Sequence, residues 1–392
     1  MNYPFKALTF LLIITISYEK TLNYIPSPSN YYEETNEDDS FDLGLLSFSE
    51  ELVEAKMGYQ TRQLIKLLVG TPAQSLKVKM STAICGIWLL DKNTFHRGFD
   101  AKSSESFERM GIDGKIDFTH GELAKEDMQF AKVPSNKKVP FLLVTKIDDA
   151  SKIPQNYDGL LGFGFQCRSS SQGNINLIQY FIGSGKVRKD IFAYTLDSKS
   201  GKGMFTFGGY PNKLDQKDKH YRTIPLDKYN TNGHWEVNLH SIFFENGMNL
   251  LVNAPLSIGI GGYALGVSRD VFDYLAGAFF YDDMNNRKCV MTKEDVWEIF
   301  CDLDYDITKV GVISLVLGKW NLKIPPTMLF KKVKIEKTSR LWFTVVFYEQ
   351  HQGQFYLSQA LLGGINTVVY DREKYEIGVF EGEMVKPDEP KQ

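Results

Sequence analysis

The stretch Gly70-Thr71-Pro72-Ala73-Gln74-Ser75-Leu76-Lys77-Val78-Lys79-Met80-Ser81-Thr82-Ala83-Ile84-Cys85-Gly86-Ile87-Trp88 sets the architecture. Gly70-Thr71-Pro72 reads as a turn, because glycine reaches backbone angles closed to other residues and proline fixes φ. From Leu76 to Met80 apolar and charged residues alternate with period two, as in a strand with one face buried. Gln63 to Val69, just upstream, is largely apolar and ends at the turn. The local grammar is therefore strand, turn, strand.

Outward from this point the same grammar repeats. Short apolar or alternating runs occur at 140–145, 192–196, 204–207, 235–239, 241–244, 312–317, 341–348, 367–370 and 376–380, with turn residues between them. Regular spacing of this kind predicts an all-β architecture. The 20 Tyr and 27 Phe point the same way, since aromatic side chains pack well on a pleated surface. Helical periodicity is confined to 175–182, 269–276 and 293–300. A chain of 392 residues suits two lobes better than one small domain. The net charge of -3 gives no basic field to attract nucleic acid. P-loop, zinc-finger and dinucleotide-binding spacings are absent, so neither metal nor cofactor is expected.

The ends read differently. Lys6 precedes an apolar run from Ala7 to Ile16, too short to span a bilayer and followed by polar residues. Residues 1–17 therefore read as a secretory signal. Residues 18–53 carry the acidic cluster Glu33, Glu34, Glu37, Asp38 and Asp39 and read as a solvated, disordered arm. The tail is 385–392. No later run is apolar enough to cross a membrane, so a soluble, secreted or lumenal monomer is expected, with no membrane association once the signal is removed. Cys85, Cys167, Cys289 and Cys301 fit an oxidising compartment and allow three pairings. Cys289 with Cys301 is favoured because it closes a short loop.

The opening stretch resembles the first catalytic segment of pepsin-like aspartic proteases, in which a G-T-P-x-Q turn leads through a strand to Asp-Thr-Gly and then Trp. Ser81 stands at the Asp position and Ala83 at the Gly position. The likeness continues in order. Tyr157-Asp158-Gly159-Leu160-Leu161-Gly162-Phe163-Gly164 is similar to F-D-G-I-L-G-L-G, and Met204-Phe205-Thr206-Phe207-Gly208-Gly209 to L-x-F-G-G. His234-Trp235-Glu236-Val237 resembles Y-W-x-V, and 367–372 with 377–379 resemble the family's last strands. The resemblance implies a two-lobed pepsin-like fold, lobes at 54–210 and 211–384, with a central cleft and a few short helices. In the second catalytic segment it implies Ser257 at the Asp place, Ile258 at the Thr place and Gly259 at the Gly place. No Asp lies in 250–266, so a shift of several residues changes nothing essential. The flap hairpin looks shortened around Ile116–Leu123, with Phe118 in place of the family's Tyr. The I-L-G-D segment reads Leu357-Ser358-Gln359-Ala360.

Two carboxylates sharing one proton are what such enzymes use; one acts as general base on water, the other as acid. A serine hydroxyl does not titrate in the working range and cannot take water's proton. The implied reading is a pseudoprotease with degenerate catalytic positions Ser81 and Ser257. Its cleft, lined by Thr82, Ala83, Phe118, Ile258 and Gly259, would hold an extended peptide or protein ligand. The rivals are an aspartic-type endopeptidase using unrecognised groups and a secreted structural protein. Ser81 or Ser257 as a nucleophile would need an oriented His, for which His120 is the candidate. Asp100, Asp113 and Asp117 read as solvated loop carboxylates rather than a relocated acid pair.

Overall fold

The computed structural model describes residues 44–380, except 56–57, 117, 131–132, 135–137, 150–152, 155, 167–175, 184, 186, 198–201, 212–215, 218–219, 228–232, 261–263, 294–295, 336–337, 349–353, 359–360 and 363–366. Side chains are described from Gln63 onward, those of 133–134, 196–197 and 202 excepted. The segment expected to be a signal, the acidic cluster and the tail lie outside the described residues. Along the chain run β1 (Gly44–Ala55), β2 (Gly58–Val69), β3 (Gln74–Ser81), β4 (Cys85–Leu90), β5 (Glu108–Ile116), β6 (Thr119–Glu126), β7 (Met128–Phe130), β8 (Val133–Pro134), β9 (Val139–Ile147) and β10 (Gly159–Phe163). There follow β11 (Ile191–Asp197), β12 (Lys202–Phe207), β13 (Tyr221–Pro225), β14 (Glu236–Phe244), β15 (Asn249–Gly259), β16 (Leu265–Gly266), β17 (Cys289–Lys293) and β18 (Val296–Cys301). The last are β19 (Ile313–Leu317), β20 (Trp320–Ile324), β21 (Phe330–Ile335), β22 (Thr338–Tyr348), β23 (Phe355–Ser358), β24 (Thr367–Asp371) and β25 (Glu376–Phe380).

Among the described residues these form a 15-stranded sheet and a 10-stranded sheet, and the fold is mostly β with few short helices. Alternation explains the core. In β3, Leu76, Val78 and Met80 are buried while Ser75 and Lys77 are exposed. The break expected at 210/211 does not separate the sheets completely. β24 and β25 return to the first sheet, where β24 pairs with β11, and β13 joins them through β25.

Two expectations are corrected. Residues 293–300 are not a helix; β18 fills most of that span and pairs with β17 and β22. Every residue of β18 is buried. Ile299 packs into the cluster holding Phe343, and Phe300 into the cluster holding Trp342. A strand covered on both faces reads as a continuous apolar run, which periodicity cannot separate from a helix. Nor are residues 18–53 an unstructured arm throughout: β1 lies across their end, paired with β12 and β2. The Cys289–Cys301 disulfide joins directly opposed residues of β17 and β18. Cys85 is also disulfide-bonded, and Cys167 lies outside the described residues.

One unit occurs twice. β3 runs parallel to β10 with Ser81 opposite Gly162, and β15 runs parallel to β23 with Gly259 opposite Ser358. β10 is antiparallel to β4, as β23 is to β16. β4 is parallel to β9, as β16 is to β22. Leu161 faces Ile87 in the first unit and Leu357 faces Leu265 in the second. Leu265 lies as far after Gly259 as Ile87 lies after Ser81. The structural counterpart of Ser81 is therefore Gly259.

Candidate functional site

The two units meet at the turns that leave β3 and β15. Thr82 Oγ1 accepts a 2.9 Å hydrogen bond from the backbone N–H of Ile260. Thr82 and Ile260 are each 2% exposed, so this bond joins the two halves without water. Thr82 is the residue after Ser81 and Ile260 the residue after Gly259, which gives the same equivalence as the strand registers. The link is one-sided. A symmetric second bond would need a hydroxyl at 260, and isoleucine has none.

Ser81 is 7% exposed, and its Oγ accepts from the Ala83 N–H at 3.2 Å. The hydroxyl thus closes the local turn, a common use of serine. Ala83 is exposed beside it. Ser257, expected opposite Ser81, sits instead within β15, two residues before Gly259. It faces Glu236 across the β14–β15 pair, and its Oγ donates to the Glu236 carboxylate at 3.4 Å. Glu236 is 4% exposed. Ile258 does not line the floor; it is 1% exposed and belongs to the main hydrophobic core. A strand side chain adjacent to a floor residue must point to the opposite face. The I-L-G-D segment shifts likewise: the counterpart of Gly162 is Ser358, not Gln359.

The flap-like hairpin is β5 and β6, with Ile116 opposite Thr119 and only Asp117 and Phe118 between them. Phe118 is half-buried and its carbonyl accepts from Asp148 N at 3.0 Å. Lys115 Nζ lies 3.3 Å from Asp148 Oδ2, and His120 Nε2 lies 2.7 Å from Asp148 Oδ1. Partial desolvation pushes the Asp148 carboxyl up, but bonds and charge from Lys115 and His120 outweigh it and hold it below 3.8. His120, the candidate base for a serine nucleophile, is therefore engaged with Asp148. The Trp88 indole N–H is buried with no hydrogen-bond partner among the described residues.

Beneath the two turns the halves are pinned by aromatic and cationic groups. Trp235 Nε1 donates to Phe163 O at 2.8 Å. Arg372 donates from Nε to Phe165 O and from Nη2 to Gly164 O, both at 2.8 Å, and pairs through Nη1 with Asp190. Its guanidinium lies 5.3 Å from the Trp235 ring centroid.

A duplicated strand–turn–strand unit, with its two turns tied to each other at the junction of two curled sheets, defines the pepsin-like class of acid-protease fold. The family model described as eukaryotic aspartyl protease matches residues 63–381, and the chain belongs to that family. Syncephapepsin of Syncephalastrum racemosum is 26% identical over 286 residues, which is 69% of this chain and 66% of that protein. Rhizopuspepsin-1 of Rhizopus niveus is 22% identical over 280 residues, 68% of this chain and 67% of its own. Vacuolar protease A of Neurospora crassa is 24% identical over 187 residues, 45% of this chain and 46% of its own. The chain thus spans 66% and 67% of the first two relatives and 46% of the third.

Proposed function

We propose that this protein is a catalytically inactive member of the family whose cleft binds an extended peptide or protein segment. The observation that carries the reading is the equivalence of Ser81 and Gly259 in the two strand units, whose next residues are joined by the Thr82–Ile260 bond. The chemistry needs a titrating pair at these two positions, and the residues there are a hydroxyl and a hydrogen. No acidic residue lies in 76–88 or in 250–266. General acid–base catalysis contributes on the order of 10²–10⁴ in rate, and the group that would activate water is missing on both sides. The apolar run Ala7–Ile16 and the Cys289–Cys301 disulfide support passage through the secretory pathway. No helix among the described residues is long and apolar enough to cross a membrane.

Glu236 favours a second reading, that of a weak peptidase. It is a buried carboxylate hydrogen-bonded to Ser257 on the strand that leads to Gly259. The shared-proton mechanism needs two carboxylates, and the group hydrogen-bonded to Glu236 here is a serine hydroxyl.

The test is incubation of the full chain with denatured haemoglobin from about pH 3 to about pH 7, the range over which a carboxylate dyad would titrate. No cleavage above the buffer control is expected. Cleavage blocked by a transition-state-mimic inhibitor of this protease class overturns the inactive reading. Loss of that cleavage in Glu236→Gln would then assign it to the second reading.

A further inference from the structure

The two units differ in where they keep their bulk. In the first, Leu160 of β10 lies opposite Trp88 of β4. At the matching place in the second, Tyr356 of β23 lies opposite Gly266 of β16. The large ring has changed strands. On its other side Tyr356 pairs with Ser257 of β15, so it stands between two strands that each supply a glycine to it. A Cβ at 266 would come within 3.3 Å of Tyr356 Cβ. A Cβ at 259 would come within 2.9 Å of both Tyr356 Oη and Cε2, and within 3.0 Å of Thr82 Oγ1. The contact at 266 would be tight, and the 2.9 Å contacts at 259 are closer than side-chain carbons approach other atoms, because overlap at that range outweighs any packing gain.

We propose that Tyr356 plugs the second half-site: its phenol ring fills the space that a side chain at 259 would need, so the position equivalent to Ser81 admits glycine alone. The inference takes its functional meaning from the inactive reading above, but its steric content stands on geometry. It follows that returning an aspartate to 259 cannot rebuild the pair while Tyr356 remains. It also follows that the polar group nearest position 259 on that side is a phenol. Burial and the neighbouring Tyr348 push that phenol above its ordinary range, so it stays protonated and supplies no base.

The experiment is a thermal-unfolding cycle on the full chain: wild type, Gly259→Ala, Tyr356→Leu, and both together. Leucine is the residue at the matching place of the first unit. Gly259→Ala is expected to lower the midpoint by at least about 3 °C in the wild-type background and by less than half as much in Tyr356→Leu. Equal losses in the two backgrounds would overturn the proposal, since the obstruction would then be Thr82 or the backbone. No loss in either would overturn it too. Should Gly259→Ala fail to fold, recovery of a folded Gly259→Ala/Tyr356→Leu protein supports the plug, and failure of both rejects it. These midpoints are read without substrate. Peptidase activity of the wild type would sink the inactive reading and leave the plug standing.

Discussion

Thr82 supplies the side-chain hydrogen bond that joins the turn after Ser81 to the turn after Gly259. Replacing it with alanine leaves the buried N–H of Ile260 without an acceptor. An orphaned buried donor costs about 1–3 kcal/mol, so Thr82→Ala should unfold at correspondingly lower denaturant concentration with an unchanged denaturant slope. Thr82→Ser keeps the hydroxyl and should recover most of the loss. The sequence pointed to Ser257 opposite Ser81, and the structure assigns Gly259. The miss has a physical cause. A shift of two residues along a strand leaves the in-and-out alternation unchanged, so the pattern of β15 fits both registers. What separates them are the hydrogen bonds to β23 and the contact with Thr82, both distant in sequence. Glu236 and Tyr356 escaped for the same reason. A lone acid after Trp235 and a lone tyrosine in a strand carry no motif; only their strand partners give them a role.

At the scale of elements, the β5–β6 hairpin carries a pH dependence. The Asp148 carboxyl is held below 3.8 by Lys115 and His120 against partial desolvation. A carboxylate with a lowered folded value contributes stability above its unfolded value and loses it as pH falls through the folded one. Referred to the intrinsic rate at each pH, amide exchange across 108–126 should therefore quicken as acid protonates the Asp148 carboxyl. Asp148→Asn should show that faster exchange already near neutrality; an unchanged exchange rate in the variant would remove the tether. The β17–β18 hairpin is the element in which sequence periodicity and structure part. Its apolar run at 296–301 is short, and burial on both faces erases the alternation that marks a strand. The disulfide joining its two strands closes a loop with a sequence separation of 12. Cys289→Ala/Cys301→Ala should cost about 2–4 kcal/mol by denaturant titration. β14 was legible as two runs, 235–239 and 241–244, and is one strand with an irregularity between Leu239 and Ser241.

For the whole molecule, Arg372 ties the last strands to the end of β10 and, through Trp235, to the start of β14. Arg372→Ala removes donors to Phe165 O and Gly164 O and takes from Asp190 its cation, leaving the Gln179 hydrogen bond on that carboxylate. Breaking a buried pair in this way costs about 3–5 kcal/mol. Burial already holds the Asp190 carboxyl above 3.8 although Arg372 pulls it down, so the variant should raise it further. A raised folded value stabilises at low pH and is lost as pH rises through it. The variant's deficit in unfolding free energy should thus be smaller near about pH 4 than near about pH 7. An equal deficit at both would show that the lost backbone bonds, not the charge, carry the effect.

Local pattern determined the class of this protein. Alternation and turn residues spelled an all-β chain, and ordered segments such as Gly70–Trp88 and Tyr157–Gly164 carried the family likeness, because one-face burial and tight turns are written in consecutive residues. The absence of an acid from 250–266 was legible as well, since it needs no register. Only the folded chain decided that Gly259 is the counterpart of Ser81, that Tyr356 lies against it, and that the final strands close the first sheet. Those outcomes depend on strand partners far apart in the chain, such as Ser81 with Gly162, Gly259 with Ser358 and Ile191 with Asp371, and a linear pattern holds no record of which distant strand will pair with which.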